Sequence, residues 1–174
     1  GLWGVYDVRT MNDIYTYTVP LFIKMLGGLK NVLLKAKDDV LAGKLDEKAL
    51  MEDRLAPDMF PFPKQVQVTT DHAKGVVGRL TQIEAPKFED NEASLDELVA
   101  RIDKTIEFLS TVKESDFASA KDAKVEISYF APKWFTGFDY AREYALPNFF
   151  FHLGMAYALV RKNDVAIGKA DYIN

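Results

Sequence analysis

The chain has 174 residues, with 22 Lys+Arg against 26 Asp+Glu, two histidines and no cysteine. Without thiols there is no disulfide framework, cysteine nucleophile or iron-sulfur cluster, and two histidines cannot alone supply a three-histidine metal site. A net charge of −4, with basic residues scattered from Arg9 to Lys169, lacks the positive stripe that phosphate neutralisation requires, which argues against a nucleic-acid partner.

Residues 1–10 read as an N-terminal extension or cloning remnant ahead of Met11, without the basic and then apolar pattern of a secretory signal. Residues 11–174 read as a single domain. Between Pro20 and Gly43, the positions Phe22, Met25, Leu26, Leu29, Val32, Leu33, Ala36 and Val40 recur at spacings of three and four, which predicts a helix capped by Thr18 and stopped by Gly43. Gly27-Gly28 inside that stripe signals close packing or a local bend. A short helix follows over about Asp46 to Arg54. Three prolines between Ala56 and Pro63 then make a stiff turn, whose Met59, Phe60 and Phe62 are expected to pack on the body.

A second long helix opens at Pro63, with Val66, Thr69, Ala73, Val76, Val77, Leu80 and Ile83 as its apolar stripe, and ends before Pro86. After an acidic connection, Ser94-Leu95-Asp96-Glu97 is a capping box that starts a third helix. Leu95, Leu98, Ile102, Ile106, Leu109 and Val112 form its buried stripe, and Asp96, Arg101, Asp103, Lys104 and Glu107 its solvated face. The stretch from Glu114 to Lys124 is irregular. Val125 to Tyr129 alternates with period two, predicting a short strand that returns as a hairpin through Ala131 to Trp134.

Thr136 caps a helical segment in which Pro147 marks a kink or a fresh start. From Pro147 to Lys162 the pattern is apolar almost all round, Asn163 is the stop, and Val165–Asn174 is a tail with turn character. No charge falls between Tyr144 and Val160, but Pro147, Asn148, His152 and Gly154 interrupt the run, which suits the central helix of a soluble bundle and not a membrane span. The expected protein is soluble and cytoplasmic, with no membrane partner. Its fold class is all-α: an up-down four-helix bundle with a short irregular or β-hairpin insertion before the last long helix.

His72 falls at the edge of the second helix's stripe, beside Gln65 and Val76. Asn148 and His152 share one face of the last helix with Ala145, Met155 and Leu159, so both point inward if that face does. Three outcomes stay open: an internal hydrogen-bonded pair, a metal site, or a ligand pocket walled by Phe149 to Phe151 and Tyr157. Asp71, Lys74 and Arg79 read as surface charges, although Arg79 lies nearer His72 in helical angle. Asp139 and Glu143 are spaced i and i+4, but one is a capping candidate and the other precedes Pro147 by one turn, so ordinary explanations suffice. No GxSxG elbow, HExxH pair or P-loop is present.

The segments IYTYTVPLFIKML at 14–26, RLAPDMFPFPKQVQ at 54–67, DHAKGVVGRLTQIEAP at 71–86, FTGFDY at 135–140 and ALPNFFFHLGMAYALVRKNDVAIGKADY at 145–172 together resemble a family of unknown function within the DinB/YfiT-like superfamily of metalloenzyme-type bundles. The resemblance implies a four-helix bundle, often a homodimer. It also implies a divalent metal, nickel or zinc, held by one histidine on the second helix and an H-x3-H pair on the last. Some members use that metal for thiol-dependent transfer or isomerisation, so a metal-dependent transferase or hydrolase is the implied activity. By that resemblance His72 and His152 stand at metal-ligand positions, and Asn148 stands where the third histidine would be. The pocket expected there is lined by His72, Asn148, His152, Met155 and Tyr157, and holds either a metal or a small organic ligand.

Overall fold

The computed structural model describes residues 12–130 and 133–174. The readings of residues 1–10 as an extension, of Met11 as a start and of Ala131 at the hairpin tip lie outside the described residues. Four long helices build the body: α2 (Val19–Leu41), α4 (Phe62–Leu80), α5 (Leu95–Ser110) and α7 (Leu146–Lys162). Short helices α1 (Asp13–Thr16), α3 (Glu47–Glu52), α6 (Gly137–Tyr140) and α8 (Lys169–Ile173) fill the ends and connections. Around the bundle the neighbours run α2, α5, α4, α7 and back to α2, so the first and second long helices in the chain lie diagonally opposite. The core is drawn from the expected stripes, with Phe22, Leu26, Leu33, Phe62, Val66, Leu98, Ile102 and Phe149 fully buried. Among the described residues no helix is long and apolar enough to cross a membrane.

Local chemistry explains the boundaries. Ser94 Oγ accepts from the Glu97 amide at 3.1 Å, and Thr136 Oγ1 from the Asp139 amide at 3.1 Å, so both caps satisfy an otherwise orphaned helix donor. Replacing Ser94 by alanine is expected to cost about 1 kcal/mol and lower the thermal midpoint by about 2–4 °C; an unchanged melting curve would refute that role. Thr18 sits at the start of α2 but makes no cap bond, because its hydroxyl donates instead to the Ile14 carbonyl at 2.6 Å. Strand β1 (Lys124–Glu126) pairs antiparallel with β2 (Trp134–Thr136), with Val125 opposite Phe135. A hairpin is present, but its first strand stops at Glu126 instead of reaching Tyr129, a 3-10 turn takes up Ser128–Phe130, and the return strand runs on to Thr136.

Three features depart from the periodicity reading. The C-terminal tail contains α8, which packs on α2 at Gly28, where a Cβ would stand 2.7 Å from the Tyr172 carbonyl oxygen. Pro147 does not break the last helix. The chain runs from α6 through a five-residue π-helical turn, Ala141–Ala145, straight into α7, the wider turn accommodating a proline that has no N–H to give. Arg101 and Lys74, expected on solvated faces, are buried at 2% and 5% exposure. The connection at 84–93 lies over them: Lys74 Nζ donates to the Pro86 carbonyl at 3.0 Å and stands 3.8 Å over the Phe88 ring. Arg101 binds Thr70 Oγ1, Asp71, Asp90 and Glu92 at 2.8 to 3.0 Å.

Candidate functional site

Helices α4 and α7 pack extensively against each other, and their shared edge carries both histidines. A cleft of about 750 Å³ opens there, lined by Phe60, Lys64, Val68, Asp71, His72, Arg79, Tyr129, Glu143, Tyr144, Asn148 and His152. The structure thus brings His72, Asn148 and His152 together. Met155 and Tyr157 are not among the lining residues; Tyr157 packs edge-on against Tyr172 of α8, with centroids 5.9 Å apart.

The site is organised by rings. Phe60 stacks on His152 at 5.9 Å, His152 lies nearly parallel to His72 at 5.8 Å and 10°, His72 meets the edge of Tyr144 at 5.6 Å, and Tyr144 stacks on Tyr140 at 5.8 Å. Five aromatic side chains from the proline-rich turn, α4, α6, the π turn and α7 therefore form one ladder along the cleft. His152 Nδ1 is 2.8 Å from Gln65 Oε1, and Gln65 Nε2 donates to the Phe60 carbonyl at 3.3 Å, which fixes the ring's orientation. An amide oxygen only accepts, so His152 donates from Nδ1 and keeps Nε2 as a lone-pair acceptor. Gln65 lies one residue short of Val66 on the stripe and two helical turns before His72; that i, i+7 spacing was the available signal for its role.

Asn148 is held by the backbone. Its Nδ2 donates to the Tyr144 carbonyl at 2.8 Å, meeting an acceptor at the edge of the π turn. Burial, then the neighbouring His152 and Arg79, push the His72 pKa from its ordinary 6.5 down to about 4. Burial lowers that of His152 as well. Both imidazoles are neutral at pH 7. Tyr140, fully buried, has its pKa raised by burial, and its hydroxyl accepts from Arg79 Nη1 at 3.0 Å.

Two neutral imidazoles are good donors to a divalent cation, but a catalytic site needs three protein ligands. Among the described residues no group of three His, Cys, Asp or Glu side chains could hold a metal ion. The third position is the Asn148 amide, a hard, uncharged oxygen ill suited to nickel or zinc. The donor set does not fit the implied metal.

The carboxylates of the cleft are already engaged: Asp71 with Arg101 at 2.9 Å and Lys74 at 3.5 Å, and Glu143 with Arg142 at 2.7 Å. Lys64 pairs with Asp90 at 3.4 Å. Sequence reasoning gave no site role to Phe60, Gln65, Tyr129, Tyr140 or Tyr144; Asp71 and Arg79, read as surface charges, are half-exposed and exposed and also border the cleft.

Known proteins bear on both the fold and the chain's membership. Among curated proteins none matches. A crystal structure of a DinB family member from Shewanella denitrificans superposes with a TM-score of 0.87 at 39% sequence identity, covering 92% of this chain and 91% of that one. The profile of a domain of unknown function, DUF1993, matches residues 14–173. From end to end of the bundle, the cleft included, this chain belongs to the DUF1993 family and has the DinB-like fold.

Proposed function

We propose that the cleft between α4 and α7 binds a small organic molecule without a resident metal, with His72 and His152 as neutral hydrogen-bonding groups. The observation that carries this reading is the ring ladder: two near-parallel imidazoles, one oriented by Gln65, facing a cleft of about 750 Å³ walled by Phe60 and Tyr144. A cleft of several hundred Å³ has the size of a small-molecule site, and this one sets oriented polar and charged groups among aromatic rings. His152 Nε2 is available to accept a ligand proton or hydrogen bond, so a ligand with an acidic O–H or N–H suits it. A ligand lying along the rings can also pair with the partly buried polar atoms of the cleft.

The test is a thermal-shift screen of metabolites on chelator-treated, untagged protein, with His152→Ala as control. A ligand at about 100 times its Kd stabilises the native state by about 2.7 kcal/mol, hence raises the midpoint by about 5–10 °C, and the variant should lose that gain. Metal analysis of protein purified without chelator completes it. Less than about a tenth of an equivalent of divalent metal is expected, given the missing third donor. A full equivalent that His152→Ala loses would replace this reading with the metal-dependent transferase or hydrolase that the superfamily suggests.

A further inference from the structure

Arg79 differs from the other charges of the cleft. Asp71, Glu143 and Lys64 are each paired with an opposite charge, whereas among the described residues no carboxylate pairs with the Arg79 guanidinium. Its hydrogen bond goes to a neutral group, the Tyr140 hydroxyl at 3.0 Å, and its carbon lies 5.4 Å from that ring's centroid. One of five N–H donors is thereby used, leaving the fork that matches a carboxylate or phosphate edge.

The guanidinium is also seated. Arg79 folds back along α4 over Gly75, one turn earlier, where a Cβ would stand 2.9 Å from Arg79 Nη1 and 3.6 Å from the Tyr140 hydroxyl. Glycine inside a helix is less stabilising than alanine, and here its missing side chain is the space the guanidinium occupies. Arg79 is exposed as a whole, and the Tyr140 hydroxyl holds its guanidinium at this one place. Tyr140, buried beneath it, pins one nitrogen, and the charge so held is near enough to His72 to lower that imidazole's proton affinity.

We propose that the cleft takes an organic anion, a carboxylate or phosphate ester with a flat apolar body, whose charge sits on Arg79 while the body lies along the rings of Phe60, His152 and Tyr144. Gly75 and Tyr140 are positioning residues for that arginine. The inference rests on the small-molecule reading of the cleft and narrows it to one charge class.

The test uses benzoate, phenyl phosphate and the neutral isostere benzamide, titrated into chelator-treated protein while the imidazole resonances of His72 and His152 are followed by NMR. At least one anion should bind about tenfold tighter than benzamide, an advantage that shrinks with added salt; which one leads identifies carboxylate or phosphate as the charge. Arg79→Gln should abolish the preference, and Arg79→Lys should restore part of it. Gly75→Ala keeps the charge but displaces it, so the preference should fall severalfold. Its melting point should stay within about 3 °C of wild type, because the helix gain and the lost Tyr140 bond roughly offset. Equal binding of all three probes overturns the inference and leaves the small-molecule reading standing. A preference that survives Arg79→Gln overturns it too. Binding of none of the three overturns it as well, whereas the reading of the cleft falls only if the metabolite screen is also negative.

Discussion

Arg101→Ala is expected to cost about 3 kcal/mol, which at this chain length lowers the thermal midpoint by about 6–12 °C. The guanidinium is 2% exposed and spans three carboxylates, and they do not contribute alike. The side chains of Asp71 and Asp90 are 44% and 43% exposed, so water takes over much of their solvation when the arginine goes. The Glu92 side chain is 9% exposed, and stranding its charge carries most of the penalty. Thr70 Oγ1 also loses its donor. Arg101→Lys should recover only part of the loss, because an ammonium keeps the charge but not the fork. Urea unfolding of the three proteins checks the ranking, and a loss below about 1 kcal/mol for the alanine variant would mean the network is solvated after all. Asp71, which borders the cleft, would keep Lys74 at 3.5 Å as its counter-charge in that variant.

The second large effect is on pH. Burial, His152 and Arg79 hold the His72 pKa at about 4 against an ordinary 6.5, so between those values the unfolded chain binds a proton that the native chain refuses. Protons bound preferentially by the unfolded state make stability rise with pH. The contribution is therefore complete above about pH 6.5 and is lost as pH falls toward 4, by up to about 3 kcal/mol, with His152 shifted in the same direction. Denaturant unfolding at pH 7 and pH 4.5 should show this fall in wild type and a distinctly smaller one in His72→Gln. Parallel curves for the two proteins would show that His72 does not titrate abnormally.

How much of this was legible follows from what periodicity carries. Stripes at three and four mark which face of each helix is buried, and the Ser94 and Thr136 caps mark where two of them start. The period-two run at Val125 identified the hairpin, since Val125 must point inward while its neighbours do not. None of these signals says which helices are adjacent. The diagonal placement of α2 and α4 depends on two long connections, 42–61 and 111–136, whose paths no local pattern sets. Arg101 and Lys74 were misplaced for a related reason. Each lies on the polar side of its helix, and it takes an irregular acidic segment, 84–93, to fold over that side and bury it.

The site divides in the same way. His72 sits at the edge of its helix's stripe, whereas the all-round apolar pattern of α7 left the direction of His152 open, and the packing of α4 on α7 brings the two together. The groups that give the cleft its character arrive by routes without a sequence signature: Phe60 from the turn before α4, and Tyr144 from the π turn. Met155 and Tyr157 follow His152 on the same helix but lie outside the cleft lining, because α8, read as a tail, takes up Tyr157. Asn148, which stands at a ligand position by the family resemblance, donates from its amide nitrogen to the Tyr144 carbonyl in the last residues of the π turn.

That widened turn separates two halves of one continuous helical stretch. Tyr140, at the end of the first half, holds Arg79; His152, in the second half, faces His72. A π turn spends one residue without advancing the helix by a full α step, so it sets the angular phase between the halves independently of packing in either. Deleting a single residue within 141–145 would rotate one half by about 100° against the other and pull the arginine out of register with the imidazoles. A one-residue change of length at this turn would therefore alter how Arg79 and the two imidazoles meet across the cleft.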